Sequence, residues 1–404
     1  MTAEPPPPTG ESMQIPHSED AGSLPQLEVV AQGLIFDASK GSPEEAANYD
    51  GSLLPLASGA ILAGWQCGPE KHTPTNTLRI ARSPDGGQSW RVQPGRFDHA
   101  WKGILGSFLT AEMVEVEPGR VLLFTTWVNR SDPQRPLFDP ETEGLLPTRI
   151  LCAESPDEGA SWSAWREVAT PGLTGCAVTG PVLRWTDGTI ACAFESFKEY
   201  DDPTPVEPAA WLVVSRDGGR SFDAPWLVAR HPQQAHYYWD QRLVPAAEPG
   251  AFLAMFWTHD RVQQRDLNVH MLQASIAEGA GAASAPVETR LPGQIAACGL
   301  TEGGQSAVLV VDRGSPGTLT LWQSADGGAS WPEAARLVVY VHEERAALTQ
   351  GREDIDYAAY WEDMAKWSFG HPVLRRCPDG WLLAWYAGSP DRMSIHWARV
   401  AARH

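Results

Sequence analysis

The sequence predicts an all-β protein, a six-bladed β-propeller with four-stranded antiparallel blades. Three observations predict it: a short turn motif recurs four times, an apolar strand precedes each copy, and a second hairpin lies upstream of each. The 404 residues include 37 Gly and 18 Trp, which suits many short strands joined by tight turns. Self-similarity at this spacing indicates equivalent structural units and outranks any local motif.

The repeated motif has a Ser, an Asp two positions later, a Gly two positions after that, and an aromatic residue three positions further on. Its copies SPDGGQSW, SPDEGASW, SRDGGRSF and SADGGASW begin at Ser83, Ser155, Ser215 and Ser324. The Asp can accept hydrogen bonds from its own turn, the Gly permits positive φ, and the aromatic ring can cover the hairpin. We therefore expect a structural role for Asp85, Trp90, Asp157, Trp162, Asp217, Phe222, Asp326 and Trp331.

Two hairpins make one four-stranded unit, and five such units span about 50–98, 104–170, 178–230, 240–290 and 295–340. The fourth carries a decayed motif that begins at Ile276. A sixth unit ends after three strands, whereas the strand LEVVAQGLIF, near 28–37, has no hairpin partner of its own. If this strand completes the last blade, no sheet edge is left unpaired. The predicted domain therefore covers 27–404, after a disordered Pro-rich tail at 1–26.

Composition excludes several classes of function. A formal net charge of −19 disfavours nucleic acid and anionic membranes as partners. The sequence has no apolar run of the roughly 20 residues that a membrane span needs, and its first residues do not resemble a secretory signal. The six Cys form no CxxC pair and no Cys/His cluster. We expect reduced thiols, a cytoplasmic location, and no metal or other cofactor.

The long connections indicate where a ligand binds. In a meandering blade, the turns between strands one and two and between strands three and four lie on one face. The segments CGPEKHTPTN, NRSDPQRPLFDPETEGLLPT, SFKEYDDPTPVEPA and THDRVQQRD lie on the other face, with the linker that ends in FG. Long loops on one face of a rigid scaffold favour a binding site there. In the linker, DIDYAAYWEDMAKW has helical apolar spacing, so its aromatic residues either form a lid or pack on the rim.

The motif S-x-D-x-G-x-S-W, known as an Asp-box or BNR repeat, resembles the repeats of the sialidase (neuraminidase) superfamily. The blade openings GSLLPLASGAILAGW and GHPVLRRCPDGWLLAWYAG, and the run WDQR followed by LNVH, resemble sialidase-like proteins of bacteria. The resemblance covers roughly 28–400. It implies a six-bladed propeller and an exo-acting glycosidase of sialidase type, whose carbohydrate substrate ends in a terminal, possibly acidic sugar.

One departure from that family is informative. Sialidases clamp the carboxylate of sialic acid with three Arg, the first of them in a Tyr-Arg-Ile-Pro-like run. The matching residues here are Tyr49, Asp50, Gly51 and Ser52, so Asp50 replaces the Arg. A carboxylate repels a substrate carboxylate, which disfavours sialic acid itself but not sugar hydrolysis.

Four residues are candidate catalytic groups because each lies where a strand meets the long-loop face: Asp50, Glu195, Asp240 and His371. A glycosidase needs a carboxylic acid with a raised pKa beside an ionised partner, and two of these carboxylates could supply that pair. Each has a structural alternative. Asp50 could bond its own turn, Glu195 could pair with an Arg, and His371 could be a satisfied polar group.

The candidate substrate-binding residues are His236, Tyr238, Trp239, Arg242, His259, Lys102 and Arg130. Sugars stack on aromatic faces and bond to charged groups at their edges, and HYYWDQR, from His236 to Arg242, holds both kinds. Alternatively, Asp240 and Arg242 form an ion pair that only shapes the mouth of the channel. Lys102 and Arg130 could likewise be solvated loop cations without a role in binding. The competing function is a non-catalytic propeller that recognises carbohydrate or protein.

Overall fold

The structure is a computed structural model that describes residues 24–95, 97–277, 280–301, 305–314, 316–342, 364 and 367–403. Residues 1–23 of the expected tail lie outside this range, as does most of the linker helix expected over 354–367. Within the described part of the chain the strands form six sheets, one for each predicted blade. Three short 3-10 helices accompany them, at Ala38–Lys40, Pro43–Glu45 and Glu333–Ala335.

The first strand of the chain, β1, covers Leu27–Phe36. The first blade then consists of β2 (Ala47–Pro55), β3 (Ile61–Gly68), β4 (Thr77–Ser83) and β5 (Arg91–Val92). The second consists of β6 (Gly106–Glu117), β7 (Arg120–Asn129), β8 (Thr148–Ser155) and β9 (Arg166–Val168). The third consists of β10 (Thr174–Arg184), β11 (Ile190–Phe197), β12 (Ala209–Ser215) and β13 (Trp226–Ala229).

The fourth blade holds six strands: β14 (His236–Pro245), β15 (Ala251–Asp260), β16 (Arg265–Asp266), β17 (His270–Ala277), β18 (Ala280–Ala283) and β19 (Val287–Glu288). The fifth holds β20 (Ala296–Leu300), β21 (Ser306–Asp312), β22 (Gly317–Ser324) and β23 (Leu337–His342). The last three strands of the chain are β24 (Phe369–Cys377), β25 (Gly380–Ser389) and β26 (Arg392–Ala402).

The sixth blade closes the ring in the way that the sequence predicts. Its strand order is β1-β26-β25-β24, so the first strand of the chain pairs with the last. The pairing is antiparallel and runs from Leu27 opposite Ala402 to Phe36 opposite Ile395. The prediction of a six-bladed propeller with four-stranded antiparallel blades is thus confirmed.

Apolar side chains pack between each pair of neighbouring blades, and these contacts hold the ring together. The second strand β3 is buried at every position, as expected for a strand covered by a blade on each side. The outermost strand β1 consists of partly buried and exposed positions except for the buried Ile35. Six core clusters follow one another around the ring, represented by Leu53 with Leu382, Leu62 with Leu123, Phe124 with Cys192, Leu212 with Phe252, Leu253 with Val308, and Leu309 with Leu383.

The four repeated turns have the same hydrogen bonds. In the first, Ser83 Oγ donates to Asp85 Oδ1 over 2.7 Å, and the backbone N–H and hydroxyl of Ser89 donate to the same carboxylate over 2.9 and 2.5 Å. The same set recurs at Asp157, Asp217 and Asp326. The turn aromatics Trp90, Trp162, Phe222 and Trp331 pack against the clusters between blades.

Candidate functional site

The site is built on β-bulges of the inner strands, close to the propeller axis. Pairing with the second strand shifts register between Tyr49 and Ser52 in β2, and at equivalent points of β6, β10, β14 and β24. Bulges re-aim side chains and are frequent beside active sites. Here they turn side chains of different blades toward one pocket.

Four bulge residues have left-handed φ although they are not glycine: Asp50 at 49°, Thr110 at 60°, Asp240 at 46° and His371 at 50°. This conformation is unfavourable for a residue with a Cβ, and such residues cluster at functional sites. Because the four positions are equivalent in blades one, two, four and six, the sequence places one polar group on each of four sides of the axis.

These residues line one pocket, which is open to solvent. Its polar floor consists of Asp50, Thr110, Thr179, Glu195, Asp240 and His371. One side is charged or polar and is formed by Lys71, His72, Arg313 and Tyr386. Apolar residues form the remaining wall, and the loops that border it lie on the long-loop face, as the sequence predicts.

A polar chain crosses the floor. Asp50 Oδ1 lies 3.2 Å from His371 Nδ1, and Arg242 Nη2 lies 3.1 Å from that same nitrogen. Arg242 Nη2 is also 3.5 Å from Asp240 Oδ1. Burial, and then the charge of Arg242, lower the pKa of His371, so the ring is neutral at pH 7. Burial opposes ionisation of Asp50, but His371 and Lys71 together hold its pKa well below the usual range.

Glu195 is the group whose chemistry stands out. It lies within the buried run 190–196 of β11 and is itself 3% exposed. Burial, followed by the neighbouring charge of Asp240, raises its pKa to about 8. The backbone N–H of Gln241 donates to its Oε1 over 3.4 Å, which only partly offsets this effect. At pH 7 Glu195 is therefore a neutral carboxylic acid that can give up a proton inside the pocket.

Lys71 and Tyr386 form a second polar pair. Lys71 Nζ donates to the Tyr386 hydroxyl over 2.8 Å and to the Met364 carbonyl over 3.1 Å. The ammonium also lies 4.5 Å and 5.0 Å from the ring centroids of Tyr386 and Tyr49. Burial lowers the pKa of Lys71 to about 7, although Asp50 acts in the opposite direction. The hydrogen bond to Tyr386 thus positions the Lys71 amine near the ionised Asp50.

Arg313 borders the same side of the pocket. Its guanidinium lies 4.0 Å from the ring centroid of Trp367 and 5.6 Å from that of Trp257, and both rings line the pocket. Among the lining residues that the structure describes, Arg313 is the single arginine. Arg242 lies behind Asp240 and His371 and is 4% exposed. A clamp of three arginines is thus not present among the described lining residues.

Glu112 is a further buried carboxyl group near the axis. It follows Thr110 on β6, is 4% exposed, and its Oε2 has no hydrogen-bond partner within the described residues. Burial raises its pKa to about 7, although Arg375 and Arg242 oppose the rise. It does not line the pocket, so its effect on the site is electrostatic.

The structure brings all four predicted catalytic residues, Asp50, Glu195, Asp240 and His371, to the pocket. It divides the predicted substrate-binding residues. Trp239 lines the pocket and stacks on His259, with ring planes 10° apart, so His259 supports that wall from behind. His259 in turn lies 3.1 Å from Asp266.

The other predicted binding residues lie away from the pocket lining. Tyr238 packs in the core between blades three and four, and His236 faces His231, with ring centroids 4.7 Å apart. Lys102 is exposed and pairs with Glu167 over 3.3 Å.

Arg130 is 3% exposed and donates to Ser107 Oγ and to the His72 carbonyl, each over 2.9 Å. It thereby fixes the loop that carries His72, which does line the pocket.

Sequence reasoning missed Lys71, Arg313 and Tyr386. A partial signal is present, because Arg313 directly follows the second strand β21 and Tyr386 lies near the end of the second strand β25, as Glu195 lies near the end of β11. In the strand pairing, Tyr386 of β25 lies opposite Gly370 of β24, and Trp257 of β15 lies opposite Trp239 of β14. Gly370 and Trp239 each come directly before a β-bulge. Lys71 lies in a loop whose course the sequence does not reveal.

The part of the chain that the structure describes also bears on metal binding and on membrane insertion. It holds no group of three or more His, Cys, Asp or Glu side chains arranged to bind a metal ion. None of its helices has the length and apolarity that crossing a membrane requires. All six cysteines are free thiols.

No protein-family model and no curated protein sequence matches the chain. Solved structures do match it. A Dyadobacter fermentans protein of unknown function aligns with a TM-score of 0.68 at 14% identity, over 94% of this chain and 100% of that one. A Hadza microbial sialidase aligns with a TM-score of 0.63 at 15% identity, over 92% of this chain and 68% of that one.

A third similar structure is the α-L-arabinanase of Penicillium chrysogenum, complexed with arabinobiose. It aligns with a TM-score of 0.55 at 15% identity, over 92% of this chain and 98% of the arabinanase. The chain therefore has the six-bladed propeller fold of the sialidases, a fold similar to that of other propeller glycoside hydrolases. Because fold does not fix function, the reaction must be argued from the pocket.

Proposed function

We propose that the protein is an exo-acting glycoside hydrolase, sialidase-like in fold, that removes a terminal sugar in the axial pocket. The observation that carries this proposal is Glu195, a buried carboxylic acid kept protonated by burial and by Asp240. A pair of carboxyl groups with separated pKa values is the arrangement that glycoside hydrolysis uses.

In the proposed reaction, Glu195 gives its proton to the glycosidic oxygen as the bond between that oxygen and the anomeric carbon breaks. The leaving group departs as an alcohol, and positive charge develops on the sugar ring. Asp240, held by Arg242 at 3.5 Å, stabilises that charge and activates the water that completes hydrolysis. Asp240 takes one proton of that water while the hydroxyl bonds to the anomeric carbon, and exchange with solvent then returns Asp240 to its ionised form and Glu195 to its protonated form.

Asp50 and the polar side of the pocket bind the sugar in this proposal. Asp50 accepts from sugar hydroxyls while His371 and Lys71 keep it ionised. Because Asp50 and Asp240 both face the sugar, a sugar carboxylate would meet like charge, and a single lining arginine does not replace a clamp of three. A neutral terminal sugar therefore fits this pocket better than sialic acid does.

The proposal is tested with a panel of 4-methylumbelliferyl glycosides that includes α-L-arabinofuranoside, β-galactoside, α-glucoside and α-sialoside. The wild-type protein should release the fluorophore from at least one neutral sugar, and Glu195→Gln should lower the rate of hydrolysis of the methyl glycoside of that sugar by about 10²-fold or more. Circular dichroism and thermal unfolding establish that the variant is folded. Binding of sugars without turnover across the panel would instead support a non-catalytic recognition propeller.

A further inference from the structure

The two sides of the axial pocket differ in chemistry, and we propose that the leaving group of the substrate is apolar, an alkyl or aryl group seated against blades two and three. This inference rests on the proposed hydrolysis and adds the class of glycoside that the site accepts. The expected substrates are therefore alkyl or aryl glycosides and not oligosaccharides.

The apolar wall on blades two and three includes Leu109, Leu137, Phe138, Val178 and Phe197. Leu109 lies on β6, Val178 on β10 and Phe197 at the end of β11, while the other two come from the loop between β7 and β8. Four of the five are only partly buried, so they present apolar surface to the pocket. The rings of Phe138 and Phe197 lie 5.7 Å apart in an edge-to-face arrangement, which makes this wall continuous.

The opposite side of the pocket can bind sugar hydroxyls. Lys71, His72, Arg313 and Tyr386 come from blades one, five and six and stand beside Asp50. Hydroxyl groups placed there meet donors and acceptors. Hydroxyl groups placed against the apolar wall would be desolvated without a partner, at a cost of about 1–3 kcal/mol each.

The position of Glu195 decides which part of the substrate lies on which side. Glu195 and Phe197 are two residues apart on β11, so their side chains share one face of the strand. A general acid must come within hydrogen-bond reach of the leaving oxygen. The group attached to that oxygen therefore faces the wall that contains Phe197, while the sugar occupies the side with Asp50.

The test compares methyl and hexyl glycosides of one sugar, together with a disaccharide that carries the same non-reducing sugar. For the sugar cleaved in the fluorogenic panel, kcat/KM should rise about tenfold or more from methyl to hexyl, and the disaccharide should be slower than the hexyl glycoside. Equal rates for the two alkyl glycosides, or faster cleavage of the disaccharide, overturn the apolar leaving-group site.

A binding measurement separates failure of this inference from failure of the proposed function. If nothing in the panel is hydrolysed, the proposed function fails, and calorimetry with the methyl and hexyl glycosides of glucose, galactose and arabinose then tests the wall alone. The hexyl member should still bind about tenfold more tightly than the methyl member of its pair. Equal affinity in every pair rejects the inference as well.

Two substitutions assign the effect to the wall. Leu137→Asn should reduce the ratio of hexyl to methyl kcat/KM, or of the affinities, toward one. Leu105→Asn is the matched control, because Leu105 is 61% exposed and does not line the pocket, and it should leave the ratio at the wild-type value. Should Leu137→Asn fail to fold, Phe138→Ser provides the same comparison. An unchanged ratio in a folded wall variant contradicts the proposal.

Discussion

The Oδ1 atom of Asp50 lies 3.2 Å from Nδ1 of His371, which joins the first blade to the last across the seam where the ring closes. Both residues have left-handed φ on bulges of inner strands. Because burial and Arg242 favour the neutral ring, His371 can donate an N–H to an ionised Asp50. The contact fixes a negative charge at the floor of the pocket.

Replacement of Asp50 by Asn should therefore weaken sugar binding more than folding. The variant keeps the size of the side chain but loses the charge that His371 and Lys71 stabilise. We expect kcat/KM to fall about 10- to 100-fold on the sugar that the wild type cleaves, as for removal of a preorganised charged group. Steady-state kinetics measure this loss, and an unchanged kcat/KM would show that Asp50 does not contact the substrate.

The basic limb of the pH profile should report Glu195. An acid acts only while it is protonated, so kcat/KM of the wild type should fall as the pH rises through about 8. Asp240→Asn removes the neighbouring negative charge that helps to raise this pKa. Carbon-13 NMR titration of the Glu195 carboxyl should then give a lower pKa in the variant than in the wild type. A pKa that does not move would mean that the two carboxyl groups are not coupled.

Glu112 should make the protein less stable as the pH rises. Its folded-state pKa is about 7, above the ordinary value of 4.5, so the folded protein retains a proton that the unfolded chain releases. The stabilisation that protonated Glu112 contributes is complete below the pKa of Glu112 in the unfolded chain. It is lost, by about 3 kcal/mol in the free energy of unfolding, as the pH rises through the pKa of Glu112 in the folded protein. Glu112→Gln should lose less stability than the wild type between pH 5 and pH 8 in urea unfolding.

The control for Glu112 is Glu117→Gln on the same strand. The side chain of Glu117 is 63% exposed, and this change should leave the pH dependence as it is in the wild type. Glu195 also has a raised pKa and therefore also lowers the stability as the pH rises. The dependence of the free energy of unfolding on pH should thus be weaker in Glu112→Gln than in the wild type, but it should not disappear. Identical slopes in the wild type and in Glu112→Gln would refute the assignment.

The repeated turns should affect stability and not catalysis. The carboxylate of Asp157 accepts bonds from Ser155 Oγ, the Ser161 N–H and Ser161 Oγ at 2.8, 2.8 and 2.6 Å. Asp157→Ala should lower the free energy of unfolding by about 1 kcal/mol, because it leaves these donors to water, with kcat/KM unchanged. Asp223→Ala is the matched control, since this exposed Asp has a 3.7 Å ion pair with Arg216. A large loss of activity in Asp157→Ala would place this turn in the site.

The fold was predictable because its signals are local in sequence. Each repeated turn follows its own strand, and the unpaired strand near residue 30 could be assigned to the incomplete last blade by counting. Asp50, Asp240 and His371 were predictable for the same reason, because each lies at an equivalent position of an inner strand. Glu195 was found because it ends a second strand on the long-loop face.

The rest of the site depends on features that composition and spacing do not show. Strict alternation along HYYWDQR would place Tyr238 and Asp240 on the same side of the strand. The bulge after Trp239 and the positive φ of Asp240 break this alternation, so Trp239 and Asp240 both line the pocket while Tyr238 enters the core. Lys71 lines it only because its loop folds back over Tyr386.

The central claim, that Glu195 is the acid that protonates the leaving oxygen, is tested most directly by varying the leaving group in Glu195→Gln. A leaving group of low pKa, such as 2,4-dinitrophenolate, departs without being protonated. An alcohol leaving group such as methanol has a high pKa and must be protonated by an acid as the bond breaks. For one sugar, we expect the variant to cleave the 2,4-dinitrophenyl glycoside within about tenfold of the wild-type kcat/KM and the methyl glycoside at least about 10²-fold more slowly than the wild type. Equal losses on both substrates would contradict the account.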